Sequence, residues 1–414
     1  MSALRAIAAA NRAGEARGIP SYCTAHPETL RAIFAAYREA DGPILVEATC
    51  NQVNQFGGYT GMDPAGFRRF VEGLAREEGI DPGRLILGGD HLGPNPWKGE
   101  PAAAAMDKAR SLVAAYVDAG FTKIHLDASM ACADDGLLAE PAMAERAAEL
   151  CAVAERAGRD LAYVVGTEVP IPGGETGVLD SLGVTAPAAA RRTMDLHREA
   201  FAARGLGAAL GRVVGLVVQP GVDFGNDRVY PYAPEKARDL VSAVADLPGL
   251  VFEAHSTDYQ SADALAALVA DHFAILKVGP ELTFAFRQAV LALAALEQAL
   301  DIPEPSGVVE AIRGEMRRDP RDWRAYVAAD RREGAMMLYG LSDRVRYYWP
   351  RAPIQAALAR LRANLAAARP EPGLIAQVTG GLVEDWGEPA ALPRAVTDRM
   401  VGAVVAKYRA ATRG

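Results

Sequence analysis

The chain has 414 residues, a formal net charge of −8 and 50% hydrophobic residues, enough for a full-sized core and more than one structural unit of ~150 residues. Its Lys and Arg residues are dispersed, with no basic stripe interleaved with aromatics, which argues against a nucleic-acid partner; no run of ~18 uncharged apolar residues offers a membrane span. Four cysteines, Cys23, Cys50, Cys132 and Cys151, match neither a disulfide framework nor a zinc spacing, so a cytoplasmic location is the default expectation.

The opening stretch MSALRAIAAANRAGEARG reads as an amphipathic helix, because Arg5, Arg12, Glu15 and Arg17 interrupt the apolar region a signal peptide needs. Runs rich in β-formers follow at 18–24, 43–49, 84–89, 122–127, 161–167, 213–219, 250–255 and 273–279. Helical patterns lie between them at 27–40, 64–78, 101–119, 140–157, 186–204, 233–246 and 259–270, and one more follows at 281–299. Strands alternating with helices imply parallel pairing, and their Val/Ile/Leu content implies burial on both faces. Eight strand–helix units in roughly 285 residues suit a closed barrel, which needs ~250. An open doubly wound sheet would show a Gly-rich turn after its first strand, whereas here that strand runs into CTAHPET. The expected fold is α/β: a (β/α)8 TIM barrel over 1–299, N-terminal helix included. Residues 300–414 are helix-rich and punctuated by IPEPSG, RRDPRDW, YYWPRAP and ARPEPG. They predict a helical C-terminal extension packed on the barrel.

In such a barrel the C-terminal strand ends converge on one face, where active sites lie. Those ends carry, in order, His26; Glu47, Thr49 and Asn51; Asp90-His91, set in the loop-like stretch GGDHLGPNPW; His125 and Asp127; Glu168; Gln219; Glu253, His255 and Asp258; and Lys277. Four of the six histidines stand here. Neutral imidazole with carboxylate is the usual ligand set of a divalent ion such as zinc, manganese or nickel. Other roles stay open: His125 bonded to a neighbour in the barrel interior, His26 capping the next helix, Lys277 paired with a carboxylate or serving as a Schiff-base nucleophile. Phosphate donors would be Ser256, Thr257 and the backbone around Gly279. Arg344 and Arg346 of SDRVRYYWP add cations near aromatics, unless they pair with surface carboxylates while Tyr347, Tyr348 and Trp349 pin the extension to the barrel.

Taken together, GDHLGPNPW, KIHLDASMAC, VGTEVPIPGG, VVQPGVDFGND, FEAHSTDYQ, LKVGPELTFA and SDRVRYYWP resemble the Z-type, so-called non-catalytic, subunit family of class II tagatose-bisphosphate aldolase, over nearly the whole chain. The resemblance implies a (β/α)8 barrel, a role in galactitol or N-acetylgalactosamine catabolism, and a catalytic Y-type class II aldolase subunit as partner. Some members have been labelled tagatose-6-phosphate kinases, but no GxxxxGK[ST] loop is present. Other relatives are regarded as ketose or ketose-phosphate 4-epimerases. Catalytic class II aldolases end strand 3 with an Asp-His pair, matched by Asp90-His91, and strand 7 with a zinc-binding histidine, matched by His255. Their strand-6 histidine is replaced here by Gln219, so the implied metal set is His91, Glu168 and His255.

The expectation is a metal-dependent enzyme of ketose or ketose-phosphate metabolism. Asp90 takes the C4 hydroxyl proton, the C3–C4 bond breaks, and a divalent Lewis acid stabilises the enediolate. Re-addition to the other face of the aldehyde gives 4-epimerisation; release of the fragments gives aldolase activity. Glu253 or Asp258 assists proton transfer. Glu47, Asn51, Asp127, Gln219, Ser256, Lys277 and Arg344 are the expected substrate contacts. The alternative is a stabilising subunit without chemistry of its own, and a homo-oligomer is compatible with either.

Overall fold

The structure, a computed structural model, describes residues 2–167, 182–381 and 388–413. Its strands are β1 (Ile19–Cys23), β2 (Ile44–Thr49), β3 (Leu85–Leu92), β4 (Lys123–Leu126), β5 (Ala162–Val165), β6 (Val213–Val217), β7 (Asp223–Phe224), β8 (Val229–Tyr230), β9 (Val251–Ala254) and β10 (Phe273–Val278). Eight of these close a barrel in the order β1-β2-β3-β4-β5-β6-β9-β10, with β10 returning to β1. Every neighbouring pair is parallel. The two-residue strands β7 and β8 form a small antiparallel hairpin in the connection after β6, which the sequence reading did not anticipate.

Helices alternate with the strands: α1 (Ala3–Arg12), α2 (Pro27–Ala35), α3 (Pro64–Glu77), α4 (Ala102–Asp118), α5 (Glu140–Glu155), α6 (Pro187–Ala203), the short α7 (Gly207–Leu210), α8 (Pro234–Ala243), α9 (Ala262–Ala270) and α10 (Pro280–Ala299). The (β/α)8 expectation holds. Boundaries moved where local chemistry decides them. The helix after β9, α9, begins at Ala262 rather than 259, because the Ser261 hydroxyl accepts from Ala264 N at 3.1 Å and caps it. Strand β3 runs to Leu92, so Asp90 and His91 belong to the strand end and not to the loop after it.

Helix α1 closes the bottom of the barrel. Its apolar stripe Leu4, Ile7 and Ala8 packs in one cluster with the interior residues Ile19, Leu45, Val164, Val214, Val251 and Ile275. That layer fills the N-terminal half of the barrel with hydrocarbon and leaves the polar inward residues to the other end.

The described residues beyond α10 carry further helices: α11 (Val308–Arg318), α12 (Glu333–Tyr339), α13 (Ala352–Ala368), α14 (Pro372–Thr379) and α15 (Leu392–Thr412). The last of these is part of the barrel wall. It packs on α2, α9 and α10, its Tyr408 hydroxyl donates to the Thr257 carbonyl at 2.7 Å, and Gly18 N–H donates to the Thr412 carbonyl at 3.2 Å. A buried ion pair, Arg287 of α10 with Asp343 at 2.7 Å, ties the extension to the barrel a second time.

Candidate metal and ligand site

Period-2 alternation sends Ser21, Glu47, Lys123, His125, Glu253 and Lys277 inward from five different strands. The bulk of Glu47 needs room. A Cβ on Gly88 of β3 would stand 2.6 Å from Glu47 Cγ, so glycine at 88 is what lets this carboxylate lie across the barrel. Gly93 answers a similar demand: a Cβ there would meet the Asp127 carbonyl at 1.6 Å.

Glu47 sits at the centre of a buried network. It accepts from Ser21 Oγ at 2.6 Å, Lys123 Nζ at 2.6 Å and Lys277 Nζ at 2.9 Å. Lys123, fully buried, also lies 2.7 Å from Glu253 Oε2, and Glu253 Oε1 bonds His255 Nε2 at 2.9 Å. Lys277 reaches Asp90 at 2.6 Å. Asp90 bonds His125 Nδ1 at 2.9 Å, and His91 Nδ1 bonds Asp127 Oδ2 at 2.8 Å. His91 and Ser256 hold φ of 50° and 53°, a left-handed backbone that non-glycine residues adopt at some cost. This strain lies at the two strand ends that deliver the paired functional groups.

Burial would raise the Asp90 carboxyl, but His91 and Lys277 beside it and the bond from His125 hold it well below its ordinary range. Asp127 and Glu253 are ionised for the same reason: burial opposes, and His91 for the one and Lys123 for the other outweigh it. Burial also works against the charge on Lys277, yet Asp90 and Glu47 push its ammonium well up. It is therefore a carboxylate partner, not a free amine nucleophile. Burial brings the His255 imidazole down to about 4 against the pull of Glu253, so it is neutral at pH 7. Asp258 differs: burial lifts it to about 7, although Glu281 N–H and Gly279 N–H donate to it at 2.8 and 3.0 Å.

The arrangement fits a divalent cation. Ligand atoms of Asp90, His125, Glu253 and His255 all lie within 4.8 Å of one another, and His125 Nε2 is buried with no partner. Four carboxylates (Glu47, Asp90, Asp127, Glu253) face two ammonium groups (Lys123, Lys277), an excess negative charge that a divalent ion would offset. The donors are imidazole nitrogen and carboxylate oxygen, which suit zinc, manganese or nickel. The implied trio is His91, Glu168 and His255. His255 is in the cluster. Glu168 lies outside the described residues. His91 stands beside the cluster, its ring 5.0 Å from that of His255 and 5.1 Å from that of His125, and it is His125 that contributes the atom.

A cavity of about 340 Å³ opens above this cluster. Asn51, Asp90, His91, His255, Ser256, Asp258 and Lys277 line it, and so do Cys23, Tyr59, Arg346 and Tyr347. Glu47 and Asp127 lie beneath it with their oxygens committed to protein partners, so they orient rather than touch a ligand; Glu253, beside Lys123 and His255, belongs to the cation cluster. Gln219 is turned to structure: its Oε1 accepts from Gly221 N and Val222 N, both at 2.8 Å. Arg344 is stacked 3.9 Å from the Tyr326 ring and is not part of the lining; Arg346 is. His26 caps α2 through its Nδ1. Lys123 was missed, although its place two residues before His125, on the same strand face, is the signal that would have found it.

Residues 4–413 match the family of D-tagatose-1,6-bisphosphate aldolase subunit GatZ/KbaZ-like proteins. The chain belongs to this family. The D-tagatose-1,6-bisphosphate aldolase subunit GatZ of Salmonella paratyphi B is 49% identical over 382 residues, 90% of each chain. GatZ of Klebsiella oxytoca is 47% identical over 416 residues, covering 98% of this chain and 99% of its own. A solved structure described as a probable tagatose 6 phosphate kinase from Sinorhizobium meliloti 1021 superposes with a TM-score of 0.87 at 44% identity, over 95% of this chain and all of the other. No helix among the described residues of this GatZ/KbaZ-like chain is long and apolar enough to cross a membrane.

Proposed function

We propose that the chain works as a subunit of a D-tagatose-1,6-bisphosphate aldolase, beside a catalytic class II partner, and that its barrel mouth holds a divalent metal and a ketose or ketose phosphate. The names carried by its relatives favour the subunit role over an independent enzyme. The observation that carries the ligand site is the buried, unpartnered His125 Nε2 among Asp90, Glu253 and His255 at the floor of the cavity. A divalent ion held there would supply a Lewis acid for the oxygens of a sugar. Lys277 and His125 hold Asp90 ionised and aimed, Glu253 orients His255, and Lys123 holds Glu253 in turn.

A second reading, turnover by the chain itself, is favoured by Asp90, an ionised carboxylate that lines the cavity. Asp90 would accept the C4 hydroxyl proton; the C4–O pair becomes the aldehyde, and the C3–C4 electron pair stays with the ketone-bearing fragment. Re-addition inverts C4, and release is aldol cleavage.

One experiment separates the two. Triose phosphate release from tagatose 1,6-bisphosphate is measured for a catalytic class II subunit with and without this chain. The chain alone is followed by NMR with fructo/tagato pairs and divalent metal. The subunit reading expects stimulation or prolonged activity of the partner, no conversion by the chain alone, and no effect of Asp90→Asn on the stimulation. Conversion by the chain alone, lost on the order of 10²–10⁴-fold in Asp90→Asn as for a removed general base, would put the second reading in its place.

A further inference from the structure

Arg346 stands in the lining of the same cavity as Asp90 and His255, together with Tyr59 and Tyr347. It belongs to a single helical turn, Arg344–Tyr347, which the buried Asp343–Arg287 pair fixes against α10. One guanidinium nitrogen, Nη1, donates to the carbonyls of Ser342 and Asp343, and Nη2 donates to the Tyr347 hydroxyl at 3.1 Å. These bonds orient the group and leave its Nε–H, and one N–H of Nη2, without a protein acceptor among the described residues. Arg344 lies behind it, so that the Tyr347 ring is flanked by two guanidinium carbons at 4.5 and 4.6 Å. The Nη1 of Arg344 is buried without a partner.

Neither arginine forms an ion pair among the described residues. The nearby Asp343 is committed to Arg287, and Asp322 offers Arg344 only its backbone carbonyl, at 2.5 Å. Two guanidinium groups packed among aromatics, with the carboxylates of Asp322 and Asp343 near but in ion-pair contact with neither, are costly to bury unless an anion arrives. A guanidinium with donors to spare matches phosphate oxygens.

We infer that Arg346 is the anion subsite of this cavity and takes the terminal phosphate of a ketose phosphate whose polyhydroxy-ketone end lies toward Asp90 and His255. The inference rests on the reading of the cavity as a ketose site, and it names the phosphorylated sugar as the preferred ligand. The phosphate donor is thereby supplied by the C-terminal extension, not by Ser256 and the Gly279 backbone at the strand ends.

Calorimetric titration of the full chain with fructose, fructose 6-phosphate and inorganic phosphate tests it. Fructose 6-phosphate should bind about tenfold or more tighter than fructose, the size of a charge-assisted hydrogen bond. Inorganic phosphate should bind alone and compete. Arg346→Gln should bring the two sugars to parity and abolish phosphate binding, Arg346→Lys should keep part of the advantage, and unchanged circular dichroism should show both variants folded. An advantage that survives Arg346→Gln, or equal binding of the two sugars to the unaltered chain, overturns the subsite and leaves the ketose reading standing. Arg346-dependent binding of inorganic phosphate with no sugar bound supports the anion site and removes the ketose reading. A chain that binds none of the three probes overturns both.

Discussion

At the scale of single residues, the barrel mouth is organised by groups that never touch a ligand. Lys123 is fully buried and bridges Glu47 to Glu253. Lys123→Met would leave Glu253 without its lysine and Glu47 with Lys277 alone, and removal of one partner from a buried pair costs about 3–5 kcal/mol. We expect urea unfolding to show a loss of that order; a loss under ~1 kcal/mol, typical of exposed pairs, would mean that the two carboxylates find other partners. His125 makes a different demand, because its free Nε2 adds nothing to the fold. His125→Ala should weaken bound metal by at least tenfold, read by competition with a chromophoric chelator, while the protein stays folded. Unchanged metal affinity would assign the nitrogen no ligand role. Histidine scarcity made most of this legible in advance: Asp90, His91, His125 and His255 all stand at strand ends. What could not be read was which imidazole keeps an open nitrogen, since that depends on Asp127 and Asp90 arriving from neighbouring strands. Nor could one tell Arg344 from Arg346, two residues apart on one turn, with only the second in the cavity lining.

At the scale of elements, the joint between β9 and α10 is where the fold and the site meet. Asp258 lines the cavity and accepts the first backbone N–H groups of α10, from Gly279 and Glu281, where a helix N-terminus favours an acceptor. Burial nevertheless lifts its carboxyl to about 7, above the ~3.9 of an unfolded chain. Between these values the folded state therefore holds a proton that the unfolded state has lost. The stabilising contribution is complete below pH ~4 and is lost as pH rises to about 7. Asp258→Asn keeps an acceptor for both N–H groups and cannot ionise. Relative to the original chain it should gain stability from pH 4 to 7, by up to a few kcal/mol, and level off above. Denaturant midpoints of both proteins across that range would show it; a pH-independent difference would mean that Asp258 stays ionised throughout. The periodicity of the sequence located α10 to within a residue, but the cap reaches it from a loop, and loop geometry left no periodic trace.

At the scale of the whole molecule, the division into a barrel and a trailing extension follows chain order more closely than it follows packing. The last helix, α15, covers α2, α9 and α10 and bonds the loop that carries His255 and Asp258, through Tyr408 and Thr257. Its Arg409 donates to the carbonyl of Ala36 at 2.5 Å. Alternation of strands and helices gave the barrel, because a period survives in every segment; the closing contact joins the two ends of the chain, and no local pattern encodes that. Such packing implies one cooperative unit. Trp349 is buried in the extension and Trp97 sits on the barrel's β3–α4 connection. Single-tryptophan versions keeping one or the other should therefore unfold at the same urea concentration. The proposed divalent-metal site is built from barrel strand ends, Asp90, His125, Glu253 and His255, so metal provides the sharper test. A ligand present at 100 times its dissociation constant stabilises the folded state by about 2.7 kcal/mol. If barrel and extension unfold together, that increment must raise the midpoint of both signals equally, and chelation must lower both. A Trp349 transition that stays put while the Trp97 transition moves would show instead that the extension unfolds on its own, and that Arg346 reaches the cavity from a separately stable body.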